Sequence, residues 1–423
     1  MPTVREFARL TTDVVAPTLD HVTISESAFV WLAEHATQGV DGAGLVSFES
    51  ARSLKVANYV GVIDTPCGTR LEILPKYASD EEDTAEARRL MVRMIAEALK
   101  LTPRIGSFVE IETFSVPLPE WLASRFLDEA SLLIKRGLRQ SYYRVDDRGP
   151  FLRGALDVPR QIRAGPAGAH LVAHRHDLYS FDRPENRSIR SAVEHVLRST
   201  RVSDNWRRAR ELSILLSDVP VSRSVSADLR AWSPDRLMAD YAAIKPLCEL
   251  ILLKQTPFAV SGRHEGFSML FPMERLFENY VLASVRKAAP PGILIESQKA
   301  DRHLCEHKAR GQFRLKPDIV ASDGQETWIV DAKWKLLEVG AKHYQLSQDD
   351  FYQLFAYGHA YLGGRGDMFL VYPRTASFPA ILEPFHFSSE LRLHVAPFDL
   401  FDRTVPLPFL VGGPEPGAGP VSH

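Results

Sequence analysis

Asp318, Asp331 and Lys333 are the residues of this chain whose types and spacing could do chemistry together. They lie in the run Lys316-Pro317-Asp318 to Asp331-Ala332-Lys333-Trp334-Lys335, where two β-prone stretches, 318–321 and 326–335, flank the turn signal Asp323-Gly324. That pattern predicts a hairpin closed by a two-residue loop. On that register Asp318 faces Ile329 and stands one diagonal step from Asp331. Because side chains alternate along a strand, Ile329, Asp331 and Lys333 share a face with Asp318, while Val330, Ala332 and Trp334 point the other way. Diagonal neighbours sit about 7–8 Å apart, so two inward carboxylates can share one cation. A hard divalent ion such as Mg²⁺ takes one or two carboxylates, keeps several waters and accepts phosphate oxygens. With Lys333 beside it, this is apparatus for metal-assisted phosphodiester hydrolysis. The competing reading is a solvated strand face. Ile329-Val330 leading straight into Asp331 favours an interior strand, where charges without partners would be costly.

Two helices and a sheet must position these groups. Met273–Lys287 carries Met273, Leu276, Phe277, Tyr280, Val281 and Val285 on one side, with Glu278 at the border of that face, within reach of a metal. Gln348–Leu362 turns Phe351, Leu354, Phe355 and Tyr361 inward, and Gln353 and Tyr357, four apart, share a side. Strands are expected at Ile293–Ile295 and Met368–Tyr372, with two more before Pro406. Upstream, 1–45 reads as a small, partly helical lead-in, and Val56–Tyr77 as a hairpin turning at Thr65-Pro66-Cys67-Gly68. Helices follow at Ala85–Leu101, Leu118–Gly137, 184–200, Trp206–Leu216 and Ala239–Lys254, with a short strand at Ser141–Val145. The expected fold class is α+β or mixed α/β, divided into an N-terminal region (1–165), an Arg-rich helical middle (166–260), a C-terminal mixed sheet flanked by helices (261–410) and a disordered Pro/Gly-rich tail (411–423). A piece of roughly 260–410 is expected to fold alone.

The 423 residues are 45% hydrophobic and 25% charged, ordinary for a soluble globular protein, and give ample material for two or three domains. No apolar run reaches the ~18 residues of a membrane span, and the N-terminus lacks the apolar core of a signal peptide. Cys67, Cys248 and Cys305 are scattered, which fits a reducing cytoplasm and argues against a cysteine-built zinc site. His303 and His307 bracket Cys305, a pattern better read as a solvated loop or strand edge. The net charge of −2 is unevenly spread: Lys135–Arg210 holds 17 Lys/Arg against 8 Asp/Glu, sixteen of the cations being Arg. Tyr142, Tyr143, Phe151, Tyr179, Phe181 and Trp206 are interleaved. Arg139, Arg144 and Arg153 are therefore candidates for forked phosphate contacts with DNA, against the alternative of solvated helix faces.

These motifs carry a resemblance. Pro317-Asp318, Asp331-Ala332-Lys333 and a helix bearing Gln353 and Tyr357 resemble the PD-(D/E)xK nuclease superfamily. Glu72-Ile73-Leu74-Pro75-Lys76, Leu152-Arg153-Gly154-Ala155-Leu156-Asp157, Asp182 with Glu185-Asn186-Arg187, Leu276-Phe277-Glu278 and Tyr352-Gln353-Leu354-Phe355-Ala356-Tyr357 make the chain similar to the McrC family, the nuclease subunit of modification-dependent restriction systems. The resemblance spans roughly 55–375. It implies a C-terminal restriction-endonuclease-like domain cutting DNA with Mg²⁺ (Mn²⁺ as a substitute), and an N-terminal portion docked on a hexameric AAA+ GTPase, McrB, that senses 5-methylcytosine. It further implies Asp318, Asp331 and Lys333 as the catalytic set, the Ala332 carbonyl as a metal ligand, Glu278 as an accessory acid, and Gln353 with Tyr357 as support. No Gly-x-x-x-x-Gly-Lys-Ser/Thr loop occurs, consistent with an NTPase partner. Two other readings stay open: a stand-alone repair or recombination nuclease, and a non-cutting adaptor that activates an AAA+ NTPase.

Overall fold

The computed structural model describes residues 2–34, 44–77, 83–100, 117–168, 170–232, 236–253 and 269–410. The expected tail, 411–423, lies outside them, as does the 260/261 boundary. The chain forms two compact units: one from residues 1–115 and 258–423, the other from 116–257. This division differs from the one read from sequence, because the amino-terminal and carboxy-terminal segments share sheets and cores.

In the first unit a four-stranded sheet runs in the order Thr3–Arg5, Arg70–Leu74, Tyr59–Asp64, Met269–Pro272. The hairpin 59–74 forms as its alternation predicts, and the last strand comes from some 200 residues downstream. Its approach depends on Gly61, at φ +132°, where a Cβ would collide with the Met269 carbonyl oxygen. Met269–Pro272 leads directly into the helix Met273–Ala288, which packs on the helix Thr84–Ala98. The latter is capped by the Asp83 side chain accepting from Ala85 N. The partly helical lead-in has its helix at Glu26–Glu34, and its short strands Arg9–Thr11 and His21–Thr23 join Val46–Ser50 and Ser53–Val56 in a second four-stranded sheet. Three-residue strands are too short to show alternation.

The third sheet has six strands, ordered Leu294–Ser297, Ile319–Ser322, Thr327–Ala332, Gly366–Pro373, Leu391–Phe398, Phe385–His386. Thr327–Ala332 is interior, antiparallel to Ile319–Ser322 and parallel to Gly366–Pro373. Burial on both faces explains its near-continuous apolar run. The helix Gln348–Leu362 covers the face carrying Ile329, burying Leu354 and Tyr357 with Met368, Leu370 and Tyr372. It ends at Gly363 in the left-handed conformation (φ 64°). Phe355, expected inward, is 44% exposed. A separate two-stranded ribbon, Arg302–His307 with Arg310–Leu315, stands between the first two strands of this sheet in sequence.

The second unit contains the helices Leu118–Arg136, Pro184–Ser199, Ser203–Leu215, Val225–Ala231 and Lys245–Leu253. The middle of the chain is not helical throughout. Ser141–Gly149, Val172–Ser180 and Ala155–Leu156 form a three-stranded antiparallel sheet, with the strand at 172–180 hidden in sequence by its mixture of His, Arg and Asp. Among the described residues no helix is long and apolar enough to cross a membrane.

Candidate active site

The central hairpin forms, but with a four-residue connection. Ser322 pairs with Thr327 and Ile319 with Val330. The Asp323 carboxylate accepts from the backbone N–H groups of Gln325 (2.8 Å) and Glu326 (2.7 Å), and Gly324 takes φ +90°. The side-chain-closed turn spends two more residues than a two-residue loop would, so the register moves by two. A shift of two keeps every side chain on its face. It also puts Asp318, next along the ladder from Ile319, opposite Asp331 rather than Ile329, closer than the predicted diagonal.

Asp331 is 1% exposed. Asp318 is fixed from its own side: its Oδ2 accepts from Ala332 N at 2.9 Å, and its carbonyl from Gln298 N at 3.0 Å. Lys333 Nζ lies 2.8 Å from Asp331 Oδ2 as a close ion pair. Burial pushes the Asp318 carboxyl well above its ordinary value, and the charges of Asp331 and Glu278 push it further. Burial likewise raises Asp331, against the pull of Lys333. Glu278 is raised to about 7, first by burial and then by Asp331. For Lys333 burial opposes the charge, but Asp331, Asp318 and Asp350 outweigh it and hold the ammonium above its ordinary range. Negative charge is thus over-supplied in a nearly dry place, the condition a divalent cation relieves.

The helix Gln348–Leu362 orders the lysine. Lys333 Nζ donates to Gln353 Oε1 (3.1 Å), Gln353 Nε2 donates to Tyr357 Oη (2.7 Å), and Tyr357 donates to the Lys316 carbonyl (3.0 Å). This chain fixes which end of the Gln353 amide faces the lysine. Burial and Asp331 raise the Tyr357 hydroxyl to about 12, so it remains a donor at neutral pH.

The structure therefore brings together Asp318, Asp331, Lys333, Gln353 and Tyr357. Glu278 contributes charge without joining the carboxylate pair: among the described residues no three His, Cys, Asp or Glu side chains converge to hold a metal. Two carboxylates, a backbone oxygen such as that of Ala332 and water still match what Mg²⁺ asks of a protein, and a carboxylate pair raised by burial and by mutual charge fits such an ion.

Two participants escaped the sequence reading. Asp350, in the first turn of the same helix, acts on Asp331 and Lys333 and accepts from the buried Tyr372 hydroxyl at 3.1 Å. Its spacing of three from Gln353 was the available signal. Trp334 Nε1 donates to Oε1 of the fully buried Glu6 at 2.7 Å, and no sequence signal marks that pair. Arg139, Arg144 and Arg153 are exposed but belong to the second unit, whereas Asp318, Asp331 and Lys333 belong to the first. Much of the Arg excess there is internally paired: Arg144 with Asp177, Arg175 with Asp146 and Asp157, Arg187 with Asp182 and Asp228, and Arg208 with Asp128.

The fold is shared with solved structures. A half-complex from a tetradecameric assembly of Thermococcus gammatolerans McrB AAA+ hexamers with bound McrC contains a chain that is 18% identical, with a TM-score of 0.69, covering 94% of this chain and 94% of that one. A cryo-EM structure of the Thermococcus gammatolerans McrBC complex contains one that is 21% identical, with a TM-score of 0.51, covering 68% of this chain and 87% of that one. No match was found among curated proteins. Residues 54–373 match the family described as McrBC 5-methylcytosine restriction system component, most of the chain and the same span as the motif resemblance. The chain belongs to that family.

Proposed function

We propose that this chain is the endonuclease subunit of a modification-dependent restriction system. It cleaves DNA by Mg²⁺-dependent phosphodiester hydrolysis in the cytoplasm, together with an McrB-like AAA+ GTPase hexamer. The observation that carries the reading is Asp318 set beside the buried Asp331, with Lys333 Nζ 2.8 Å from Asp331 Oδ2. The McrB partner rests on family membership and on the McrB assemblies of the solved relatives.

In this reading Asp318, Asp331 and the Ala332 carbonyl would hold the cation, which would supply Lewis-acid polarisation of the phosphate and activation of water. Lys333, charged at neutral pH, stabilises the charge that builds on the phosphate oxygens as the water attacks. Gln353 keeps the ammonium on the phosphate side, and Tyr357 keeps Gln353 in place. Glu278, protonated or ionised near neutrality, is suited to pass a proton at the edge of the site.

The test is cleavage of methylated duplex DNA by the full chain with its AAA+ partner, GTP and Mg²⁺, compared with the Asp331→Asn protein and with chelator. Loss of cutting in both is expected, with GTP hydrolysis by the partner retained in the Asp331→Asn complex in Mg²⁺. Cutting at the wild-type rate by Asp331→Asn would sink the assignment, and vigorous cutting without any partner would favour a stand-alone nuclease.

A further inference from the structure

The ribbon Arg302–His307/Arg310–Leu315 has no role in the site as described, and its composition is unlike the rest of the unit. Eleven of its twelve strand residues are exposed. From Arg302 to Lys316 it holds five cations, Arg302, Lys308, Arg310, Arg314 and Lys316, against one acid, Glu306. None of the five forms an ion pair with a carboxylate among the described residues, whereas several Arg side chains of the second unit, such as Arg144, Arg187 and Arg208, are paired. Leu304 and Phe313, which fall between the paired positions 303/314 and 305/312, are 57% and 73% exposed. An isolated two-stranded ribbon is marginal in water, so one that stays this exposed is better matched to a ligand than to self-stabilisation.

Its base is held by the catalytic helix. Tyr361 Oη lies 2.7 Å from the Lys299 carbonyl and 3.1 Å from that of Leu315, and Tyr357 donates to the carbonyl of Lys316. Tyr357 is the same residue that anchors Gln353 against Lys333. Two residues beyond Lys316 the chain reaches Asp318. At about 3.3 Å per residue the ribbon extends roughly 20 Å from that anchor. It is two strands wide, a shape the ~12 Å major groove of duplex DNA admits.

We propose that this ribbon is the DNA-contacting element of the nuclease unit, its unpaired Arg and Lys side chains neutralising backbone phosphates of a duplex and so presenting a strand to Asp318 and Asp331. The inference deepens the nuclease reading and rests on it for the identity of the ligand. It adds to the Arg-rich segment a set of unpaired cations ending two residues from Asp318.

The test is equilibrium binding of the full chain, in chelator so that nothing is cut, to a fluorescent 30-bp duplex between 50 and 200 mM salt. Five phosphate contacts give a slope of about −4.5 in log K against log salt, a loss of about 500-fold over that range; removing two gives about −2.7, a loss of about 40-fold. Arg310→Ala/Arg314→Ala should show the shallower slope with unchanged thermal stability, and Arg310→Lys/Arg314→Lys should keep the wild-type slope. Absence of duplex binding by the wild-type chain at 50 mM salt would overturn the proposal. An unchanged slope and affinity in the Ala variant would also overturn it, as would loss of AAA+ partner binding in place of DNA binding. Undiminished binding in the ribbon variants, with Asp331→Asn cutting abolished, would refute the ribbon and leave the nuclease. Lost binding with Asp331→Asn still cutting would refute the nuclease site and leave the ribbon.

Discussion

Replacing Glu278 with Gln should stabilise the metal-free protein, and by an amount that depends on pH in a calculable way. The carboxyl is held at about 7 against an ordinary 4.5, chiefly by burial and then by Asp331. A carboxyl raised in the folded state binds its proton more tightly there than in the unfolded chain. Stability is therefore full below about pH 4.5 and is lost as pH rises through about 7. Linkage puts the loss at about 1 kcal/mol at pH 5 and about 3 kcal/mol at pH 8. Gln keeps the shape and has no proton to lose, so Glu278→Gln should gain about 1 kcal/mol or less at pH 5 and about 3 kcal/mol at pH 8, roughly 5 °C in Tm for a unit of this size. Thermal melts of wild type and variant at both pH values, in chelator and then in millimolar Mg²⁺, are the assay. The cation offsets carboxylate repulsion, so the gap at pH 8 should narrow when it is added. A variant less stable than wild type at pH 8 in chelator, or a gap that does not change with pH, would refute the electrostatic account of this site.

Lys333→Ala should lower cleavage by about 10²–10³-fold. Mg²⁺ affinity, read by metal-induced Tm shift, should persist because both carboxylates remain; an affinity loss equal to that of Asp318→Asn would show that the lysine is structural. Trp334→Phe removes one of two donors to Glu6 Oε1, leaving the Lys76 N–H, and should cost about 1–3 kcal/mol in a denaturant melt, and no change would mean that the buried pair is not coupled to folding. A fragment of residues 261–410 should fail to give a cooperative melt, because its strand Met269–Pro272 and helix Met273–Ala288 are built against Tyr59–Asp64 and Thr84–Ala98. A sharp transition from that fragment would show the sheet contacts to be dispensable.

What the sequence determined by itself was local. The interior strand announced itself through Ile329-Val330, the helix Gln348–Leu362 through its apolar spacing, and the hairpin 59–74 through its alternation, because each pattern reflects a face that must be buried. The candidate site was legible for the same reason: with the period of a strand equal to two, Asp331 and Lys333 share a face whatever the register. Tertiary structure decided the rest. The opposition of Asp318 to Asp331 depends on Asp323 closing the turn with its own carboxylate, a choice between loop lengths that propensity does not rank. The ribbon was missed because its turn residues, Lys308 and Ala309, take positive φ without Gly or Asn, and its polar strands bury no face to leave a pattern. The joining of the two ends of the chain, through Met269–Pro272 on Tyr59–Asp64 and Trp334 on Glu6, rests on contacts between residues some 200 to 300 positions apart. Such contacts form only once the sheets exist, so no window of sequence contains the information that places them.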